Sequence, residues 1–323
     1  GGVFVHDLGQ GRFEENTITG DAVAGVLIQR QGNPLMLANT IVSSMRDGVV
    51  VSDGGLGVLK GNTISKHSGH GLVLETEGNP TLEDNAISEC DKCGVFAHNS
   101  GLGKLTNNKI FGHKSSGVEG CTQAATTLRD NDVYNNAQFG VSVVRQGCLQ
   151  CFSNTIRDSA LANVHMSTEA SPLFEGNSIH GGQESGVLCE ESSLGRLKSN
   201  KIFNNSLAGV EIGSGCRTVV EENSIFKNQQ AGVLTHLESW GVVRGNECYE
   251  NKLSGIEVKD KADPLVEDNR IHSNGQAGVY VHRGGFGTFK ANSIYGNTHA
   301  GIEVKEESNP VIKSNLIYDG KAE

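Results

Sequence analysis

An asparagine stands at every twenty-third position from Asn16 to Asn315, at all fourteen positions, with no insertion or deletion between them. A register held that long means that each segment of 23 residues is one supersecondary unit stacked on the next. A second column, fourteen residues before each asparagine, holds glycine from Gly2 to Gly301 and is broken only by Asn163. Asparagine is the non-glycine residue that best tolerates left-handed backbone, so this column is expected at positive φ, Asn163 included.

Three apolar columns share the period. The residue after each glycine is Val, Ile or Leu, from Val3 to Ile302. The residue two after each asparagine is Ile except at Val133 and Cys248, and a third column from Phe13 to Ile312 is interrupted only by Cys151. Short alternating segments rich in β-branched residues and punctuated by Gly, Asn and Pro read as strands, and nothing shows a helical period. The fold class that follows is all-β, a parallel β-helix of fourteen 23-residue coils with three short strands each. With no break in register to cut at, residues 1–323 read as one domain. The chain opens "GGVFV" without methionine and already in register, which reads as a segment of a larger protein; uncapped ends would allow end-to-end self-association.

A superperiod of 46 lies over the coils: Pro34, Pro80, Pro172, Pro264 and Pro310 alternate with Gly11, Gly57, Gly103, Gly195, Gly241 and Gly287. The stretch "GLGKLTNNKIFG" at 101–112 has the look of a phosphate loop, but it recurs as "GLGVLKGNTI" and "GFGTFKANSI". Its glycines shape a corner rather than a nucleotide site.

Charge and composition narrow the partners. A net charge of −10 with 5% aromatic residues argues against a nucleic-acid backbone. No apolar run is long enough to cross a membrane as a helix. Cys90 with Cys93 and Cys148 with Cys151 form two C-x-x-C pairs, but these sit at different column positions more than two coils apart, so a shared metal is not expected. No cofactor is implied. Cys189 and Cys248 occupy inward columns, and reduced thiols fit an intracellular, cytoplasmic or nuclear, protein.

Two outward faces stand out. On the first strand, Phe4, Leu27, Val50, Val73 and Phe96 form a stripe of apolar residues in successive coils, expected to be an exposed contact for a protein partner. Further along, Glu211, His236, Glu257, Lys259, Tyr280, His282, Glu303 and Lys305 supply the residue types of acid and base catalysis or sugar binding. Stacked opposite charges on parallel strands also support one another, and a salt ladder is the favoured reading of this second face. His6, His98, His236 and His282 are separated by even numbers of coils, too far apart to share a metal. An aromatic column from Phe111 to Tyr318, with His180 and His272 interleaved, is expected to shield a corner by stacking.

The segments "NSGLGKLTNNKI" (Asn99–Ile110), "NPTLEDNAI" (Asn79–Ile87), "NAQFGVSV" (Asn136–Val143) and "NPVIKSNLI" (Asn309–Ile317) resemble the right-handed parallel β-helix repeats of carbohydrate-binding and sugar-hydrolase type. The similarity is closest to the branch found in eukaryotic F-box ubiquitin-ligase adaptors. It implies a right-handed, non-catalytic solenoid whose side recognises a protein substrate. The competing expectation is a β-helix that binds or modifies polysaccharide through the outward Glu, His, Lys and Tyr face. Lyases and epimerases of that fold build clefts from inserted loops and carboxylate clusters, and neither occurs in this register. Acidic polysaccharide is the less expected ligand for a chain of charge −10.

Overall fold

The computed structural model describes residues 1–321. The chain divides into two compact units, Gly1–Ala160 and Leu161–Glu323. Each contains seven coils of three strands, and among the described residues every regular element is a strand. In the first unit one coil comprises Val95–Ala97, Lys104–Thr106 and Lys109–Phe111; in the second, Val233–Thr235, Val242–Arg244 and Glu247–Tyr249 are equivalent. Within a unit, first strands pair with first strands, second with second and third with third, all parallel. The register is one full period: Val95 faces Val118, Leu105 faces Leu128 and Ile110 faces Val133. The parallel β-solenoid expected from the period of 23 is the fold observed.

The three apolar columns converge inside each coil. Val95, Leu105 and Ile110 are completely buried, and Val233, Val243 and Cys248 are equally so in the second unit. No coil could bury these residues alone; each needs the coil above and below.

The asparagine column closes one corner from inside. Asn108 Nδ2 donates to Leu82 O at 3.1 Å and to Asn131 Oδ1 at 3.0 Å, while its Oδ1 accepts from Asn85 N and Nδ2, both at 2.9 Å. The side chain is 1% exposed and its polar atoms are satisfied, the condition that makes a buried amide tolerable. A second internal ladder went unread in the sequence. In the second unit it runs through Asn205, Asn228, Asn251, Asn274 and Asn297, bonded in the same way. In the first unit the column holds Ser44, His67, Cys90, His113 and Asn136, and the two histidines imitate asparagine. His67 Nδ1 accepts from Ser44 N at 3.1 Å, and its Nε2 lies 3.1 Å from the Ile41 carbonyl. An acceptor at Nδ1 places the proton on Nε2. Burial lowers both pKa values, that of His113 to about 4, and keeps these rings neutral.

The glycine column is corrected on its reason. Neither its glycines nor Asn163 takes a positive φ. Close approach explains the column: a Cβ on Gly94 would lie 2.6 Å from Ile110 Cγ2 and 2.7 Å from Gly117 O. The left-handed positions lie elsewhere. The residue before every ladder asparagine has positive φ, as at Asp84 (57°) and Asn107 (56°), and so do two consecutive residues after each first strand, as at Thr76 (48°) and Glu77 (61°).

The superperiod also has a physical cause. Gly57 adopts φ 114°, and a Cβ there would lie 3.3 Å from Pro34 Cδ in the preceding coil. Gly103 (φ 119°) repeats the arrangement, its Cβ position 3.5 Å from Pro80 Cδ, and a Cβ on Gly287 (φ 109°) would lie 3.2 Å from the Pro264 carbonyl oxygen. A proline ring in one coil therefore requires a bare backbone in the next.

Candidate functional site

Inward columns are fixed by packing, so chemistry is confined to residues that point outward. On the three-residue first strand only the middle side chain does so, and turns on either side supply the walls.

In the first unit the apolar stripe is not a raised contact surface. Leu27, Val50, Val73 and Phe96 form the floor of a cleft of about 650 Å³. Val73 is 7% exposed, whereas Phe4, outside the cleft, is 52% exposed and stacks on His6 at 4.2 Å. The wall comes from the turns before the first strands, where Met45, Arg46, His70 and Lys92 stand, and from Asp47 at the start of its strand. Two of the first strands here, Ala24–Ile28 and Asp47–Val51, are extended to five residues. The sequence reading missed these wall residues, since they fall in three neighbouring columns, none with a residue type that recurs in every coil.

Polar groups in the cleft differ in how far they are engaged. Asp47 Oδ1 accepts from His70 N at 2.8 Å, and Glu75 pairs with His98 at 3.3 Å. His70 Nδ1 accepts from Cys93 N at 3.2 Å, which leaves Nε2 as an N–H donor, and burial brings this ring's pKa down to about 4. Phe96 is sandwiched between His70 and His98, each 4.6 Å away. Among the described residues, Arg46 and Lys92 have no carboxylate within ion-pair distance.

In the second unit the polar face forms two clusters. Glu211 accepts from Ser185 Oγ at 2.7 Å and pairs with His236 Nε2 at 3.1 Å. The His236 hydrogen bond is the largest influence holding the Glu211 carboxyl below its usual range. One superperiod on, Glu257 Oε1 lies 3.0 Å from His282 Nε2 and 3.6 Å from Lys259 Nζ. Tyr280 stacks on His282 at 4.2 Å, and Lys305, 3.8 Å from Glu303, lies over the Tyr280 ring at 5.0 Å. A hydrogen bond to Tyr280 leads the influences that raise the Lys305 pKa. The pairing is diagonal or within one strand, so the ladder of same-column opposite charges expected here is not the arrangement found. True ladder pairs occur one column on, at Arg283–Asp260 (3.1 Å) and Arg30–Asp7 (3.6 Å).

A carboxylate can only accept, so His282 Nε2 presents its proton to Glu257, while Nδ1 faces a second carboxylate, Glu306 Oε2, at 3.7 Å. Glu257 is held by Lys259 and by the imidazole together. Such an arrangement can bind a hydroxyl-rich chain and exchange protons with it.

The aromatic column forms a continuous stack, as its corner role requires. From His180 through Phe203, Phe226, Tyr249, His272 and Tyr295 to Tyr318, neighbouring ring centroids are 4.7 to 5.4 Å apart. Inner ring faces are covered on both sides, so no sugar ring can stack there. Cysteines are free thiols; burial pushes Cys90 to about 11 and Cys93 to about 12, which makes them poor nucleophiles. Among the described residues no group of three or more His, Cys, Asp or Glu is placed to hold a metal.

A family model for the right-handed beta helix region matches residues 1–124, 116–247 and 237–323. The chain belongs to the right-handed β-helix family. Its repeats are those of that family along the whole length. No curated protein matches it in sequence. Among solved structures it is similar to a mutant form of the periplasmic alginate epimerase AlgG, with a TM-score of 0.69 and 13% identity over 90% of this chain and 78% of that one. It is also similar to the A-module of the Azotobacter vinelandii mannuronan C-5 epimerase AlgE4, with a TM-score of 0.59 and 12% identity over 90% of each chain. The Dettilon tailspike protein matches at a TM-score of 0.53 and 13% identity, over 87% of this chain and 62% of that one.

These findings correct the expectation of a protein-recognition adaptor of F-box type. The right-handed β-helices it resembles include alginate and mannuronan epimerases, and the closeness to the F-box branch inferred from its motifs is not shown. The motifs behind that inference specify turn geometry, which every solenoid of this period shares.

Proposed function

We propose that this chain binds a polysaccharide along the outer face of its first strands and acts on it by proton transfer, at a site centred on Glu257 and His282. The observation that carries the reading is the convergence of a carboxylate, an imidazole, a phenol and two ammonium groups on one outward, half-buried face, with Glu257 and His282 3.0 Å apart. His282 exchanges the proton through Nδ1, where Glu306 stands 3.7 Å away, Glu257 fixes the ring through Nε2, and Lys259 and Lys305 offset negative charge developing on the sugar. Tyr280 is the complementary acid. The Glu211–His236 pair stands two coils away, about 9.6 Å at the spacing of parallel strands, a distance on the scale of one disaccharide step. Similarity in fold to two polysaccharide epimerases supports the substrate class; at 12–13% identity it does not assign the reaction.

The test is to incubate the protein in D₂O with alginate, pectate and a neutral glucan. Binding is read by calorimetry, and exchange of ring C–H protons by NMR. The expected result is binding of at least one polymer, with exchange that His282→Ala and Tyr280→Phe abolish without loss of binding. If no polymer binds, the reading fails; if binding and exchange survive in both variants, the chemistry lies elsewhere.

A further inference from the structure

The cleft of the first unit shares no residue with the site proposed above, and its chemistry differs. Its floor is aliphatic: Leu27, Val50 and Val73 are cross-strand neighbours, with Phe96 next in line. Three strand spacings make this trough about 14 Å long, the reach of an extended medium-chain acyl group. On its wall stand Arg46 and Lys92, neither paired with a carboxylate among the described residues, in a chain where most cations are paired. Both acids in the cleft, by contrast, are already engaged, Asp47 by the His70 amide and Glu75 by His98.

We propose that this cleft binds an amphipathic monocarboxylate of medium chain length, with its tail on Leu27, Val50 and Val73 and its carboxylate against Arg46 and Lys92. An apolar trough beside unpaired cations complements an acyl tail with one anionic end. Sugar platforms present aromatic faces, and both faces of Phe96 are covered by imidazoles. An extended peptide would need free strand edges, and the first strands that form the floor are paired on both sides. A polyanion would set several charges against Asp47, Glu75 and a net charge of −10, whereas a monocarboxylate brings one charge, at the end that reaches Arg46 and Lys92.

Calorimetric titration of the whole chain with octanoate, decanoate and dodecanoate below their micelle concentrations, at low salt, tests the proposal. Each added methylene should tighten binding about twofold, because an open cleft buries only part of each group. Decan-1-ol should bind about tenfold more weakly than decanoate. The surface variant Arg46→Gln with Lys92→Gln, which leaves the floor intact, should remove that difference, and Val50→Asp should abolish binding of both. Affinity independent of chain length, equal binding of acid and alcohol, or full affinity in the uncharged double variant would each overturn the proposal. So would oligogalacturonate that binds more tightly than decanoate and is lost in the double variant, since the cleft would then be a glycan site.

Discussion

Val50 in the first unit and Glu257 in the second occupy the same place in the repeat, the middle of a first strand, nine periods of 23 residues apart. The backbone around them is the same, and on either side lie buried aliphatic residues, Val49 and Val51 in one case, Ile256 and Val258 in the other. Yet one floors an apolar cleft and the other anchors a cluster of ionisable groups. A solenoid separates the two tasks: inward columns carry the fold, and the outward middle residue of each first strand is left to chemistry.

The sharpest way to break that separation is to damage an inward column. Asn108→Leu would leave Asn85 N, Asn85 Nδ2 and Leu82 O without their partners, a cost of at least about 3 kcal/mol by urea unfolding. Gly94→Ala should cost about 1–3 kcal/mol, because the new methyl meets Ile110 and the Gly117 carbonyl. Retained stability in either variant would show that inward columns are as free as outward ones.

A buried ion cluster on the second strands probes the middle ground. Glu221 is 2% exposed and is held by Arg196 and by Arg244 Nη2 at 2.6 Å. Burial alone would raise its pKa, but the hydrogen bonds from Arg244 and Arg196 outweigh it and hold the carboxyl below the ordinary glutamate value. A depressed folded-state pKa gives stability that is present above the unfolded pKa and lost as pH falls through the folded one. Glu221→Gln should therefore cost about 1–2 kcal/mol at neutral pH, a modest value because both arginines are half exposed. The difference from the parent chain should vanish in acid; a gap that stays constant down to low pH would assign the loss to packing.

Exchanges on the outward column should be smallest. Glu257→Val should shift stability by less than about 1 kcal/mol while removing any activity on polysaccharide. Gly61→Asn should be nearly neutral, because its φ of 65° lies where asparagine is tolerated and nothing stands within 4 Å of the added Cβ. A large loss in either would mean that outward positions also support the fold.

This division explains what could be read from the sequence. The asparagine ladder and the Val, Leu and Ile columns are legible because each coil imposes the same packing demand, so the same residue type returns. The second ladder was harder, since His67 can make the two hydrogen bonds of an asparagine without resembling one in sequence. Left-handed turns at Thr76 and Glu77 left no signature, because in short turns many residue types occupy that conformation. Cleft walls were invisible for another reason: Arg46, His70 and Lys92 meet only through the stacking of coils, in two adjacent turn columns whose chemistry changes at each step.

The seating of each proline on a bare glycine backbone reaches beyond local geometry. Removal of a single coil between Gly57 and Pro80 would bring Pro34 onto Pro80, or Gly57 onto Gly103, and lose the match that both corners require. The quantum by which such a gene can lengthen or shorten is therefore a pair of coils, 46 codons, and duplication in odd multiples of 23 should be found only where Thr126, Leu149 or Thr218 has already replaced the pair.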